Sequence, residues 1–284
     1  MTDFVFIGGD MRMVYAARRL SERHGCTLMG FDSLTEEHTG GVSRSSGGRY
    51  DAAVLPIFTG GAREIRCPYA NRSYDISILP KLLRTGGSVF AGKVFPGLEQ
   101  LCAEHGYVLC DYLAREELAV RNAVLTAEGA VMTLISETEA SVHGSDILIL
   151  GFGRIGKLCA RYFSALGANV TVAARRKSDL AWAEAYGCKA ADITDETAFR
   201  AALAKNRVIV NTAPAKLLTA ERADYAADNA LLIELASLPC TEEGVKIRIV
   251  QAGGLPGKTA PEAAGAVIAD TIGNILKERS AENG

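Results

Sequence analysis

The stretch DILILGFGRIG at residues 146–156 limits the fold more than any other part of the chain. Asp146 to Leu150 form a run suited to a strand buried on both faces, and Gly151, Phe152, Gly153, Arg154, Ile155 and Gly156 follow it at once. A helix is expected from Ile155 to about Leu166, with Gly167 as its stop and Asn169 to Ala173 as a second strand. In such a unit the glycines have separate jobs. Gly151 permits the tight turn, Gly153 lets backbone approach a pyrophosphate, and Gly156 lets the helix sit close against the strand. The helix then directs its unpaired N–H groups and positive dipole end at that anion. The pattern predicts a dinucleotide site made by residues 151 to 156.

A second strand of this kind in an NAD site usually ends in an acidic residue that holds the ribose 2′-hydroxyl. Here Ala174, Arg175, Arg176 and Lys177 stand in that place. A carboxylate would repel a 2′-phosphate, whereas a guanidinium holds one through two charge-assisted bonds. NADP is therefore favoured over NAD, with Arg175, Arg176 and Lys177 as its contacts. The plain alternative is a solvated cationic run.

Composition narrows the remaining classes. A length of 284 residues allows two domains, each large enough for its own core. The hydrophobic fraction of 48% and charged fraction of 23% are ordinary for a globular protein, and a net charge of -2 gives no electrostatic case for nucleic acid or an acidic membrane. The seven cysteines show neither a CxxC pair nor a histidine at metal spacing. They read as reduced thiols, not as a disulfide framework or a zinc site. The chain opens directly into a strand, so no signal peptide is expected, and no apolar stretch approaches the roughly 20 residues of a bilayer span. A cytoplasmic protein with no metal is expected; its oligomeric state, homo-oligomers included, is left open.

Along the chain, strands at Phe4 to Ile7, Thr27 to Phe31, Ala52 to Ile57, Ser88 to Ala91 and Tyr107 to Cys110 alternate with helices at Met11 to Arg23, Ile76 to Leu83 and Leu98 to His105. Asp10 is placed to cap the first of those helices. Residues 32–50 read as an exposed loop, and the irregular stretch from Phe58 to about Tyr74 is long enough to border a substrate. A helix from Thr126 to about Ser136, with Thr126 as its cap and Asn122 and Glu128 at its entry, leads into the cofactor domain. There Val208 to Asn211, Leu231 to Leu235 and Ile247 to Val250 supply further strands. The closing helix runs from Pro261 to about Glu278, with a frayed tail from Ser280.

The expected fold class is α/β, with two doubly wound parallel-sheet, Rossmann-like domains and a cleft between them. Residues 1–123, with the helix 261–278 packed back, make the first, and residues 124–260 the NADP-binding second. Ligands of such sheets bind beyond the carboxyl ends of the strands. The lining expected there is Asp10, Arg12, Thr59 to Gly61, Lys93, Asn211 to Pro214, Ser237 and the 253–260 loop. Among these, Arg12, Thr59 and Lys258 are the candidate substrate contacts. Asn211, Thr212 and Pro214 are assigned to the cofactor, and Lys258, Asn211 and Ser237 to the reacting end. Histidine is rejected as the base: His143 lies at the wrong end of its strand, about 20 Å from the glycine turn at about 3.3 Å per residue. His24 and His105 stand at helix ends, and His38 in a loop.

Taken together, IGGDMR at 7–12, NAVLTAEGAV at 122–131, HGSDILILGFGRIG at 143–156, GANVTVAAR at 167–175, NTAP at 211–214, ELASLP at 234–239 and GLPGKTAPEAAG at 254–265 resemble the A-subunit family of dipicolinate synthase from spore-forming bacteria. The resemblance implies a subunit that oxidises a dihydrodipicolinate-type intermediate of the lysine pathway to dipicolinate. It also implies a partner, the flavoprotein-like B subunit of dipicolinate synthase, and the mother cell as location. One departure is visible: the family tends to carry two glycines after the Ala-Ser-x-Pro turn, where this chain has Cys240 and Thr241. Two other readings stay open, a scaffold subunit whose dinucleotide is structural and a free-standing NADP-dependent hydroxyacid or imine reductase.

Overall fold

The computed structural model describes residues 1–44, 47–58 and 63–282. The chain divides into two compact units, Met1–Asn122 with Ala260–Gly284, and Ala123–Thr259. The first unit begins with β1 (Asp3–Ile7), α1 (Met11–Ser21), β2 (Gly25–Met29), a one-turn α2 (Glu36–Thr39), β3 (Ser43–Arg44) and β4 (Tyr50–Ile57). A two-residue antiparallel ladder of β5 (Glu64–Ile65) and β6 (Tyr74–Asp75) follows, then α3 (Leu79–Leu82), β7 (Leu83–Gly92), α4 (Pro96–His105) and β8 (Val108–Asp111). The sheet is parallel throughout, in the order β3-β2-β1-β4-β7-β8.

Alternate residues of the central strands fill two cores. Phe4, Phe6, Val54 and Phe90 face one side with Val14 and Ala17 of α1; Val5, Ile7, Leu55 and Val89 face the other with Leu98 and Leu101 of α4. Each large side chain so buried stabilises by roughly 1.5–3 kcal/mol. The chain's last helix, Pro261–Glu282, lies on α1. A Cβ on its Gly265 would sit 2.5 Å from the Arg12 carbonyl oxygen, so the close approach depends on that glycine.

Helix α1 starts where Asp10 caps it, accepting from the Arg12 N–H at 3.1 Å. The same carboxylate takes both Nε and Nη2 of Arg12, at 2.9 and 2.8 Å. Burial is the strongest single influence on this carboxyl and opposes its charge, but the Arg12 bonds and the nearby Arg66 outweigh it and hold it below the usual carboxylate range.

Helix α5 (Glu116–Glu137) carries the chain across the unit boundary. The second unit then runs β9 (Asp146–Leu150), α6 (Arg154–Ala165), β10 (Asn169–Ala174), α7 (Lys177–Ala185), β11 (Lys189–Asp192), α8 (Glu196–Lys205), β12 (Val208–Asn211), α9 (Ala220–Ala223), β13 (Leu231–Glu234), β14 (Arg248–Gln251) and α10 (Leu255–Thr259). The closing helix of the first unit is α11. The parallel order β11-β10-β9-β12-β13-β14 reverses direction at β9, which puts the ligand crevice beyond the ends of β9 and β12.

Several sequence expectations need correction. Thr126, Asn122 and Glu128 do not mark a helix entry: α5 starts ten residues before Thr126, at Glu116. At 22 residues, with an 18-residue window of mean hydropathy 1.4, it is also long and apolar enough to cross a membrane by length and composition alone. Leu118, Ala127, Ala130 and Leu134 are buried in packing, while Val120, Met132 and Ile135 are exposed. His38 is not in a loop. It lies in α2, where its ring and the Thr35 hydroxyl form a capping box. Helix α11 continues to Glu282, past the expected fraying point.

Two outcomes are expected. Asp10→Ala removes the cap and should cost about 1 kcal/mol near neutral pH, the usual value of such a cap. Because the native carboxyl titrates below its unfolded value, that advantage is complete above the ordinary carboxylate range and fades as the pH falls through the native value. Denaturant titrations of both proteins from acid to neutral pH should show the gap closing only at the acid end. In the second unit, a Cβ on Gly156 would meet the Gly151 carbonyl oxygen at 2.3 Å. Gly156→Ala should therefore cost about 1–3 kcal/mol in thermal or chemical unfolding, as overpacking does.

Candidate dinucleotide site

Strand β9 is buried from Ile147 to Leu150, and the chain turns out of it at Gly151, whose φ of +91° disfavours any side chain. Gly156 then lets α6 press against that turn. A Cβ on Gly153, by contrast, would meet nothing within 4 Å. The backbone is open on the side where an anion would approach. Unlike α1 and α8, which Asp10 and Asp195 cap, α6 starts with no side-chain hydrogen bond to its first N–H groups. An uncapped helix start over an open glycine fits a pyrophosphate. Phe152 is buried edge-on to Tyr186, and Ile155 is half-buried, so both support the turn; Arg154 is exposed.

The neighbouring loop is tied to this turn by Thr212. Its hydroxyl donates to the carbonyls of Leu150, at 2.9 Å, and Gly151, at 3.3 Å. Thr212 is therefore part of the floor, while Pro214 beyond it is exposed. Asn211, expected to contact the reacting ring, is fully buried. Its amide donates to Glu234 Oε1 at 2.6 Å and to the Ala213 carbonyl at 3.1 Å, and its Oδ1 accepts from the Ala213 N–H. With these bonds made, Asn211 positions the loop and does not reach a ligand.

Glu234, which none of the sequence motifs singles out as functional, is the centre of this arrangement. It is 2% exposed and accepts from Asn211 Nδ2, from the Ala236 N–H at 3.1 Å and from the Cys240 N–H at 2.8 Å. A buried carboxyl needs such partners, and here they join the ends of β12 and β13. The signal was available: an acidic residue ends the otherwise apolar strand LLIE. Burial, with Glu234 beside it, pushes the Cys240 thiol above its usual range. The Cys240 carbonyl accepts from both Leu217 and Leu218 N–H groups, at 2.9 Å each. Neither Cys240 nor Thr241 adopts a positive φ, so this turn has no need of glycine.

At the end of β10 the three cations differ in their surroundings. Arg176 and Lys177, at the start of α7, are exposed beside carboxylates. Arg176 donates to Asp179 at 2.8 and 3.2 Å, and Lys177 pairs with Asp192, whose carboxyl the lysine and Thr194 hold down to about 2. Arg175, also exposed, makes no hydrogen bond or ion pair with any of the described residues. Ser237 lies just past β13, and Lys258 is exposed in the one-turn helix α10, where a loop was expected.

In the first unit, the corresponding turn is plugged. The Gly8 N–H donates to Met29 at 2.9 Å, as Gly151 does to Ala173 in the second unit, but here the next N–H, that of Gly9, is also taken, by the Arg66 carbonyl at 2.7 Å. Arg12 is turned onto Asp10, which differs from its expected role as a free substrate contact. Lys93, exposed and at φ 59°, sits in a turn held by Asp111. Thr59, Gly60 and Gly61 lie outside the described residues. His105 bonds the Leu101 carbonyl at 3.0 Å, a helix-end role; the His24 ring instead accepts from the Thr2 N–H at 3.4 Å, and His143 packs on Gly167 at the amino end of β9. Among the described residues no three His, Cys, Asp or Glu side chains are grouped to hold a metal.

Comparison with known proteins agrees with this geometry. Residues 3–113 match the family model of the N-terminal domain of the dipicolinate synthase A subunit, and residues 113–255 that of the NAD binding domain of D-isomer specific 2-hydroxyacid dehydrogenases. The chain is 31% identical to the A subunit of dipicolinate synthase from Bacillus subtilis (strain 168), over 98% of its own length and 97% of that protein's. It also resembles the crystal structure of the same subunit from Bacillus halodurans, with a TM-score of 0.83, 30% identity and coverage of 96% and 97% of the two chains. A transhydrogenase from Sinorhizobium meliloti shares the fold, at a TM-score of 0.72 and 15% identity over 98% of this chain and 94% of that one. The resemblance first carried by the short motifs thus extends along both units, and the chain belongs to the A-subunit family of dipicolinate synthase.

Proposed function

We propose that this chain is the NADP-binding subunit of a cytoplasmic oxidoreductase that converts a dihydrodipicolinate-type compound to dipicolinate. On this reading it works beside a flavoprotein-like second subunit in a sporulating cell; the name of the Bacillus subtilis relative, one lettered subunit of a synthase, supports a partner. The observation that carries the proposal is the open Gly153 backbone beneath the uncapped start of α6. The substrate ring loses a hydride from one carbon and a proton from another, giving dipicolinate, reduced dinucleotide and H⁺. The oxidised nicotinamide, when bound, supplies the hydride acceptor.

The chain's own part is binding and orientation. Residues 151–156 hold the pyrophosphate, and Thr212 keeps the neighbouring loop against the turn. Arg175, with no acidic partner among the described residues, is the first contact for a 2′-phosphate. Arg176 and Lys177 can follow, since exposed ion pairs of this kind are only weakly held. Ser237 serves as a polar contact near the nicotinamide and Lys258 as a cation for a substrate carboxylate. Asn211 and Glu234 fix the loops that carry these groups. Aromatisation lowers the demand for a strong base, so orientation of the ring is the larger task.

Calorimetric titration should show NADP binding more tightly than NAD. Arg175→Ala should weaken NADP by about 10-fold or more while leaving NAD within about 2-fold, as the loss of a charged hydrogen bond predicts. Tighter binding of NAD would overturn the cofactor assignment. With both subunits and substrate present, absorbance of the reduced nicotinamide should rise in proportion to the dipicolinate formed, and Lys258→Ala should raise the KM of that reaction. Dipicolinate formed with no such rise would make the bound dinucleotide structural.

A further inference from the structure

The first unit carries a cation that none of the motifs marks. Arg66 is fixed from both sides: its carbonyl accepts from the Gly9 N–H, and Ile65 before it is buried in the β5–β6 ladder. Its exposed guanidinium makes no hydrogen bond or ion pair with any of the described residues. It borders two hollows at the carboxyl ends of β1 and β4. One is a recess of about 30 Å³ shared with Asp10, Arg12 and Tyr112, and the other a cavity of about 600 Å³ walled by Pro56, Ile57, Phe58 and Ile65.

The charges around the recess do not cancel. Asp10 engages Arg12 through two bonds, and the Tyr112 hydroxyl is fully buried and donates to the Leu55 carbonyl at 2.9 Å. One acid therefore meets one base, and Arg66 is left as the net positive charge. The rim of the larger cavity also carries Glu64 and Arg72, but Arg72 donates to the Tyr74 hydroxyl at 3.0 Å, so Arg66 is the guanidinium left without a partner among the described residues beside the apolar wall. A cavity of ordinary ligand size built this way suits a flat ring bearing a carboxylate. The ends of parallel strands are also where such a ligand is expected.

We infer that Arg66 binds a carboxylate of the pyridine-dicarboxylate substrate and product, with the ring against Pro56, Ile57 and Phe58. This rests on the functional reading above and adds the residue in the first unit that selects the acid. Arg12, held by Asp10, shapes the recess and does not supply the charge.

The test titrates dipicolinate into the full chain saturated with NADP, for wild type, Arg66→Ala and Arg66→Lys, with NADP affinity measured separately for each. Removing a charged hydrogen-bond donor should weaken dipicolinate by about 10- to 100-fold in Arg66→Ala. Arg66→Lys should recover part of the loss, and NADP affinity should stay within about 2-fold throughout. Because only an exposed side chain is cut, the melting temperature should be unchanged. Dipicolinate affinity within about 2-fold of wild type in Arg66→Ala overturns the inference and leaves the dinucleotide reading standing. So does a wild-type chain that binds NADP but not dipicolinate. Failure to bind either ligand overturns both.

Discussion

The contact between α6 and the end of β9 governs the second unit. At Gly156 the helix comes so near the Gly151 carbonyl that even a methyl group would collide with it. That closeness aims the first N–H groups of α6 at the space beside Gly153, and it sets the height of the loop that Thr212 fastens to the same turn. Strand register does the rest. Because β12 pairs with β9 as Asn211 with Leu150, the NTAP loop leaves the sheet level with the glycine turn. The binding geometry is thus a property of backbone packing, with side chains serving mainly to keep it in place.

The buried Glu234 shows how far that holding extends. A carboxyl removed from water would be costly if left without donors. Here two backbone N–H groups and an amide meet it, so the loop after β12 and the turn after β13 are bound to one side chain. The arrangement also accounts for the Cys240–Thr241 departure. Cys240 contributes its N–H to Glu234 and its carbonyl to Leu217 and Leu218, roles open to any residue with an ordinary φ. The small, neutral side chain of Cys240 then fills the core of that turn.

Much of this was legible in the sequence. Apolar runs bounded by glycine located the strands of both sheets, and the fingerprint located the candidate site, because these signals are local. Asp10 as a helix cap was likewise readable from its place before MRMV. The acidic pair Glu116 and Glu117 was a local helix-start signal that the apolar spacing further along obscured. The other failures were non-local. Asn211 looked like a ligand contact because a polar residue at a strand end usually faces solvent. Its burial follows from Glu234, 23 positions later and one strand away. The pairing of Arg176 and Lys177 with Asp179 and Asp192 was hidden in part for the same reason: Asp192 ends a strand whose register with β10 only the sheet defines.

Two sheets with matching strand orders pose a problem of address, since each presents a glycine-bearing turn at the end of its first strand. In the first unit the answer is written in main-chain atoms: the Arg66 carbonyl occupies the Gly9 N–H. Exchange of one side chain for another leaves such a lock closed, so the choice between the two turns is insulated from most point mutations. Sequence drift can then alter the side chains around the first turn without opening its backbone to a nucleotide.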